Sequence, residues 1–220
     1  MMDPALVLDG ALRRCGAWIV SGGTAHASRE AVGDRDQAVL LAAMVRDLLA
    51  ETQLAAASLD LIAVIIGPGS FTGIRAALAL AHGLGLGGGI PVIGVTVGEA
   101  IVEALPPDPH RQLWIATDSR RGRVFLERRS RAESFALETL PTPDGPVAIA
   151  GDQAVPVAAI LAARDFDVVL TEIRQPDAMA ILRAAVKRAQ GDLPQRAPQP
   201  LYIDAPEVRF PASGVRPPPS

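Results

Sequence analysis

Lysine is nearly missing from this 220-residue sequence: of its 21 basic residues only Lys187 is a lysine, and it stands in a helical pattern near the C-terminus. A phosphate-loop lysine or a Schiff base therefore has a single candidate, outside any glycine-rich loop. Cysteine is as scarce. Cys15 alone cannot close an intrachain disulfide or build a multi-cysteine zinc site, which points to a reducing compartment. His26, His82 and His110 stand far apart, and none has a second histidine or an acid at metal-ligand spacing. No serine sits in a G-x-S-x-G frame, so a hydrolase of that type lacks its nucleophile. Apolar runs break at Gly, Pro or Arg well short of the ~18 residues of a membrane helix. The opening MMDPALVLDGALRRC has no secretory pattern, and the expectation is a soluble cytoplasmic protein without membrane contact. Positive charge is not in excess either. The formal charge of −3 leaves nucleic acid to be held, if at all, by a local basic patch.

What is present reads as α/β, in one large domain or two small lobes. Residues 5–9, 14–21 and 24–30 pattern as three short strands, with Ser21-Gly22-Gly23-Thr24 as a hairpin turn. Asp34 and Gln37 have the spacing of a capping box, and Leu40, Leu41, Met44, Val45, Leu48 and Leu49 follow at helical period. Residues 61–66 form an unbroken apolar run, mostly β-branched, as in a strand covered on both faces. Gly67-Pro68-Gly69-Ser70 ends it, a helix rich in Ala and Leu spans 71–86, and residues 90–95 return as a buried strand. That order implies a right-handed parallel crossover. Beyond Pro106 the pattern restarts with strands at 113–117, 123–129, 147–150 and 167–171 and helices at 154–163 and 176–190. The units read as 1–105, 106–193 and a mostly unstructured proline-rich tail at 194–220, with no internal sequence repeat.

The densest motif is Gly67-Pro68-Gly69-Ser70-Phe71-Thr72-Gly73-Ile74-Arg75. Gly69, Ser70, Thr72 and Arg75 are candidates to hold an anion, through free amides at a helix start, two hydroxyls and a guanidinium. A tight strand-to-helix turn capped by Ser70 explains the same residues. Gly83, Gly85 and Gly88 match G-x-G-x-x-G but end a helix instead of opening one. Asp9, closing the first strand, could orient a metal or a phosphate-bound water, or simply form a turn. Arg120, Arg121, Arg123, Arg128, Arg129 and Arg131 make the only basic cluster, either a solvated strand face or an RNA contact. The helix from Ile74 to Leu86 leaves no wide polar face, so it is wholly buried or packs, with the helix before it, on a partner.

GPGSFTGIR, its Ala-rich helix and the following IPVIGVTVGEA resemble the bacterial tRNA threonylcarbamoyladenosine biosynthesis family called TsaB or YeaZ. The segment from Asp118 to Phe125 is similar to that family's D-A-R-R-G-E-V-Y. Pro200-Leu201-Tyr202-Ile203 with Ala205-Pro206-Glu207 is similar to its closing P-L-Y-x-R-x-P. Departures gather early: Gly10 and Ala11 replace the hydroxyl residues of an Asp-Thr-Ser turn, and Asp36 stands where a His is usual. Ser119, Arg123 and Asp204 also differ. The resemblance implies a two-lobed actin-like ATPase (ASKHA, RNase H-like) fold. It implies a non-catalytic subunit with no cofactor or metal, pairing with the catalytic paralogue TsaD, joined by the ATPase TsaE and reaching tRNA through the complex. A homodimer is also implied, through a shared interface placed here on Leu41, Met44, Val45, Leu48, Ala77, Leu80, Ala81 and Leu84. Loss of the hydroxyls after Asp9 weakens any nucleotide site there. The alternatives are a stand-alone small hydrolase, peptidase or weak ATPase, and a direct tRNA-binding module.

Overall fold

The computed structural model of the chain describes residues 3–33, 37–119, 121–128 and 131–203. Asp34, Asp36, Arg120, Arg129, Asp204 and the segment Ala205-Pro206-Glu207 lie outside the described residues. The meander is β1 (Ala5–Asp9), β2 (Arg14–Ser21) and β3 (Thr24–Val32), antiparallel throughout, with Gly22 and Gly23 supplying the left-handed backbone of the turn. β4 (Leu61–Gly67) has no polar face to give to water and is buried along its whole length. It pairs in parallel with β1 and with β5 (Val92–Thr96), so the first sheet has the order β3-β2-β1-β4-β5. Helices α1 (Gln37–Glu51) and α2 (Phe71–Gly88) pack beside one another and on this sheet.

The second sheet contains β6 (Gln112–Asp118), β7 (Val124–Arg128), β8 (Arg131–Phe135), β9 (Val147–Ala150) and β10 (Val168–Leu170). Its order is β10-β9-β6-β7-β8, with β6, β7 and β8 antiparallel and β9 and β10 parallel to β6. Both sheets therefore share one plan, an antiparallel triplet whose first strand is followed outward by two parallel strands. This is the two-lobed actin-like architecture, a structural repeat that the sequence does not display. Asp9 and Asp118 close the first strand of each sheet.

The structure departs from the sequence pattern in four places. Helix α3 (Val97–Ala104) has no counterpart in that pattern; a capping box between Thr96 and Glu99 starts it directly from β5. β8 has none either. Helix α4 (Ala154–Ala162) is as expected, but α5 (Ala178–Gln190), placed with residues 106–193, packs instead on the first sheet through Ala178, Ile181, Ala184 and Ala185. Residues 194–203 form no helix or strand, yet they are a strap held on the first sheet. The Leu201 amide donates to the Ile66 carbonyl at 2.8 Å, and a His82 ring nitrogen lies 2.8 Å from the Pro198 carbonyl.

The two sheets meet at the first turn of α3. Glu127, on β7, accepts from the Thr96 hydroxyl at 3.0 Å and the Gly98 amide at 3.1 Å. A side chain at residue 98 would displace that carboxyl, so the contact depends on glycine there. Glu99 accepts from the Thr96 amide at 2.7 Å and, on its other oxygen, from Arg188 of α5. Arg188, itself buried, also donates to the carbonyls of Gly94 and Pro194, which leaves its charge paired and each of its three nitrogens bonded. A cavity of ≈ 340 Å³ opens beside Glu127, walled by Val102, Leu113, Trp114 and Leu193.

Burial pushes the Glu127 carboxyl up to about 7, and the same cause lifts Asp9 to about 6. Between the ordinary carboxylate value and these values the folded chain holds protons that the unfolded chain has released. The stability they contribute is complete in acid and is lost as pH rises through that window. Glu127→Gln keeps an oxygen for the Gly98 amide and turns its amide nitrogen to the Thr96 hydroxyl. Urea unfolding of wild type should weaken by about 4 kcal/mol from about pH 5 to about pH 8, of which Glu127 supplies about 2–3 kcal/mol. The Glu127→Gln variant should retain only the shallower decline due to Asp9, and an unchanged slope would refute the assignment.

Candidate functional site

The expected anion site lies where the β1–β2 hairpin meets the start of α2, and backbone fills it. The Ser70 amide donates to the Ala11 carbonyl at 2.6 Å, and the Ser70 hydroxyl caps α2 by accepting from the Gly73 amide at 3.2 Å. The Ile74 amide is taken by the Ser70 carbonyl at 3.0 Å. Three of the amides that a phosphate would use are thus already bonded within the chain. Gly69, with φ at 149°, lies so near the Ala11 carbonyl that an added Cβ would overlap it. A Cβ on Gly10 would sit 2.6 Å from the Gly73 carbonyl oxygen. The absence of a side chain at residue 10 is what lets the hairpin close on α2. Thr72 is exposed and takes no part in the closure.

Asp9 is buried at the end of β1 and closes a turn, its Oδ1 accepting from the Ala11 amide at 2.8 Å. Its Oδ2 is buried without a hydrogen-bond partner. Desolvation raises this carboxyl against the smaller opposing effects of the Ala11 amide and Arg14. Among the described residues no three His, Cys, Asp or Glu side chains gather as a metal site requires, and no helix is long and apolar enough to cross a membrane.

Arg75 does not reach the hairpin. Its Nε and Nη2 donate to the Tyr202 hydroxyl at 3.3 and 2.6 Å, and its guanidinium stacks 3.7 Å from the Phe71 ring centroid. The two most specific sequence motifs, GPGSFTGIR and the PLY of the strap, are therefore brought together, at a place the sequence did not indicate.

Among the described arginines of the cluster, Arg123, Arg128 and Arg131 have partners within the second sheet. Arg128 pairs with Glu133 at 2.7 Å and lies over the rings of Trp114 and Phe135, while Arg123 donates to the hydroxyl and carbonyl of Ser134, each at 2.8 Å. The strand face expected to be solvated is not so at Glu127, which α3 covers. Sequence reasoning missed Glu127, Glu99 and Arg188; the only local signal was the Thr96-x-x-Glu99 spacing.

The residues expected at a partner interface lie mostly inside the chain. Leu41, Met44, Val45, Leu48, Ala77 and Ala81 are buried within the chain's own core, because α1 and α2 turn their apolar faces to the first sheet. Leu80 and Leu84 are half-buried at its edge. Arginine at Ala77 or Ala81 would disrupt the fold and not merely a surface. The outward positions of α2 include Ala79, Gly83 and Gly87.

A family model described as TsaD, tRNA N6-adenosine threonylcarbamoyltransferase, matches residues 31–195. A tRNA threonylcarbamoyladenosine biosynthesis protein TsaB from Escherichia coli K12 is 30% identical over 130 residues, 59% of this chain and 56% of that protein. The chain spans about half the length of the sequence relatives it matches. YeaZ from Pseudomonas aeruginosa superposes with a TM-score of 0.69 at 25% identity, covering 91% of this chain and 100% of that one. A second Pseudomonas aeruginosa structure, of a protein with similarity to peptidase YEAZ, gives 0.71 at 25% identity over 92% and 100%.

The closure of hairpin on helix is testable by adding one methyl group. Gly69→Ala must move a backbone carbonyl and adopt a backbone angle that L-residues avoid, and should lower unfolding stability by roughly 2–4 kcal/mol. Gly10→Thr, which restores the missing hydroxyl, should cost roughly 1–3 kcal/mol by overpacking. Urea midpoints equal to wild type for both would show that the hairpin is not packed on α2.

Proposed function

This chain belongs to the TsaD family, that of tRNA N6-adenosine threonylcarbamoyltransferase, and groups with the TsaB/YeaZ proteins; from that premise we propose that it is a non-catalytic subunit in the making of threonylcarbamoyladenosine on tRNA. It pairs with a TsaD-type catalytic subunit, a TsaE-type ATPase joins them, and tRNA is met by the complex in the cytoplasm. The closed hairpin supports the non-catalytic part of this reading. A phosphate held at this turn would need free amides and open space, whereas here the Ser70 amide is bonded across it to the Ala11 carbonyl and the Gly73 amide is taken by the Ser70 cap.

The observation that carries the pairing is the outer face of α2. Gly83 and Gly87 lie within the helix, and an added Cβ on either would meet nothing within 4 Å. Each lowers helix stability by about 1 kcal/mol relative to alanine, and the monomer's own packing does not require them. With Leu80 and Leu84 they share one face, at i, i+3, i+4 and i+7. A second helix laid there would come close to the backbone. This moves the docking face from the inward residues named by resemblance to the outward ones on the same helix.

Gly83→Ala and Gly87→Ala should each raise the unfolding free energy of the isolated chain by up to ~1 kcal/mol while weakening its complex with the TsaD-type protein of the same genome. Gly83→Arg should abolish that complex in analytical ultracentrifugation and leave the chain folded by circular dichroism. A one-to-one complex that survives Gly83→Arg would rule out this face.

A further inference from the structure

Aromatic residues make up only 4% of the sequence, and Tyr202 is its one tyrosine. That tyrosine and Phe71 are nonetheless left 54% and 58% exposed, side by side, with ring centroids 6.5 Å apart. Arg75 is wedged between them, stacked on Phe71 and bonded through Nε and Nη2 to the Tyr202 oxygen. The strap delivers Tyr202 to this place, since Leu201 is bonded to Ile66 and Pro198 to His82. Arg75 has no carboxylate partner among the described residues, and its Nη1 makes no hydrogen bond there. An unpaired cation is thus held in one rotamer between two exposed rings.

Such an arrangement does little for the monomer, because both rings keep much of their apolar area in water. For association it is well prepared. Tyrosine, arginine and other large side chains dominate binding energy at interfaces, and a side chain already immobilised loses little entropy when it binds. Tyr202 occupies one edge of the guanidinium, which leaves Nη1 and the remaining Nη2 hydrogen for an incoming carboxylate. An RNA strand suits the patch less well. Backbone affinity grows with the number of phosphates neutralised, and among the described residues the patch offers Arg75 on a chain of formal charge −3.

We infer that Phe71, Arg75 and Tyr202 form a preorganised anchor that receives, from a partner protein, an acidic side chain flanked by an apolar one. The inference rests on the reading of α2 as the docking face. Exposed Ala79, one turn beyond Arg75, joins the anchor to Gly83 and Gly87.

The test is isothermal titration of the full chain with the TsaD-type protein of the same genome, at low and high salt, after circular dichroism has shown each variant folded. Phe71→Ala and Arg75→Gln should each weaken binding by roughly 10- to 100-fold. Arg75→Gln should also flatten the salt dependence, which a merely structural loss would leave in place. Arg75→Lys should not rescue, because an ammonium cannot both stack on Phe71 and present a planar fork. Tyr202→Phe, which keeps the ring and frees the arginine, should weaken binding by roughly threefold. If Gly83→Arg breaks the complex while Phe71→Ala and Arg75→Gln bind as wild type, the anchor is overturned and the docking face stands. If no complex forms with any chain, both fall. If Arg75→Gln instead reduces salt-dependent tRNA binding by the isolated chain and leaves the protein complex unchanged, the patch is a nucleic-acid contact and the anchor is overturned.

Discussion

A helix N-terminus leaves amides that must find acceptors, and at α3 this requirement ties the two sheets, α5 and the strap into one body. Thr96 caps the turn from the first sheet, and Glu127 reaches into it from the second. Glu99 completes the capping box and spends its other oxygen on Arg188, which can be buried because its donors end on Glu99 and on two carbonyls. One of those carbonyls belongs to Pro194, where the strap begins. From there His82 holds Pro198, Ile66 holds Leu201, and Tyr202 arrives over Arg75. The exposed face of α2 is in this way connected by direct bonds to the junction between the sheets.

Elements with a strong local signal were legible in the sequence. β4 reads as an unbroken apolar run, mostly β-branched, α1 as an apolar series at helical period, and the β2–β3 hairpin as Gly-Gly between two strands. α3 was not legible, since VGEAIVEA follows β5 without a break and begins with a β-branched residue. Its signal, a threonine and a glutamate three residues apart, is short enough to be hidden behind a strand. The second sheet repeats the plan of the first, but a repeat of topology needs only alternation and burial, which unlike residues can supply. An aspartate closing the first strand of each sheet is the trace that remains.

The helix faces show a different limit. Periodicity established that Leu41, Val45, Leu48, Ala77 and Ala81 face something apolar, and it could not say what. The chain's own first sheet covers them. The same limit applies to the glycine-rich loop, where composition is compatible both with an anion cradle and with close backbone packing. Which of the two holds depends on Gly10, far away in the sequence, which has no side chain to keep the Ala11 carbonyl from the amide of Ser70.

Glycine on α2 separates what the fold needs from what it does not. Gly85 and Gly88 are fixed from within, since a Cβ on the first would meet Val92 at 2.6 Å and on the second Ile90 at 2.7 Å. Gly83 and Gly87 face open space on the same helix. In water alone, alanine would serve those two positions better, because it costs less backbone entropy and hides no surface that glycine leaves useful. A reason for glycine there must lie outside the chain, in a contact made with the helix backbone itself. Side chains placed for the same purpose should then stand where the helix begins and the strap crosses, which is where Phe71, Arg75 and Tyr202 are found.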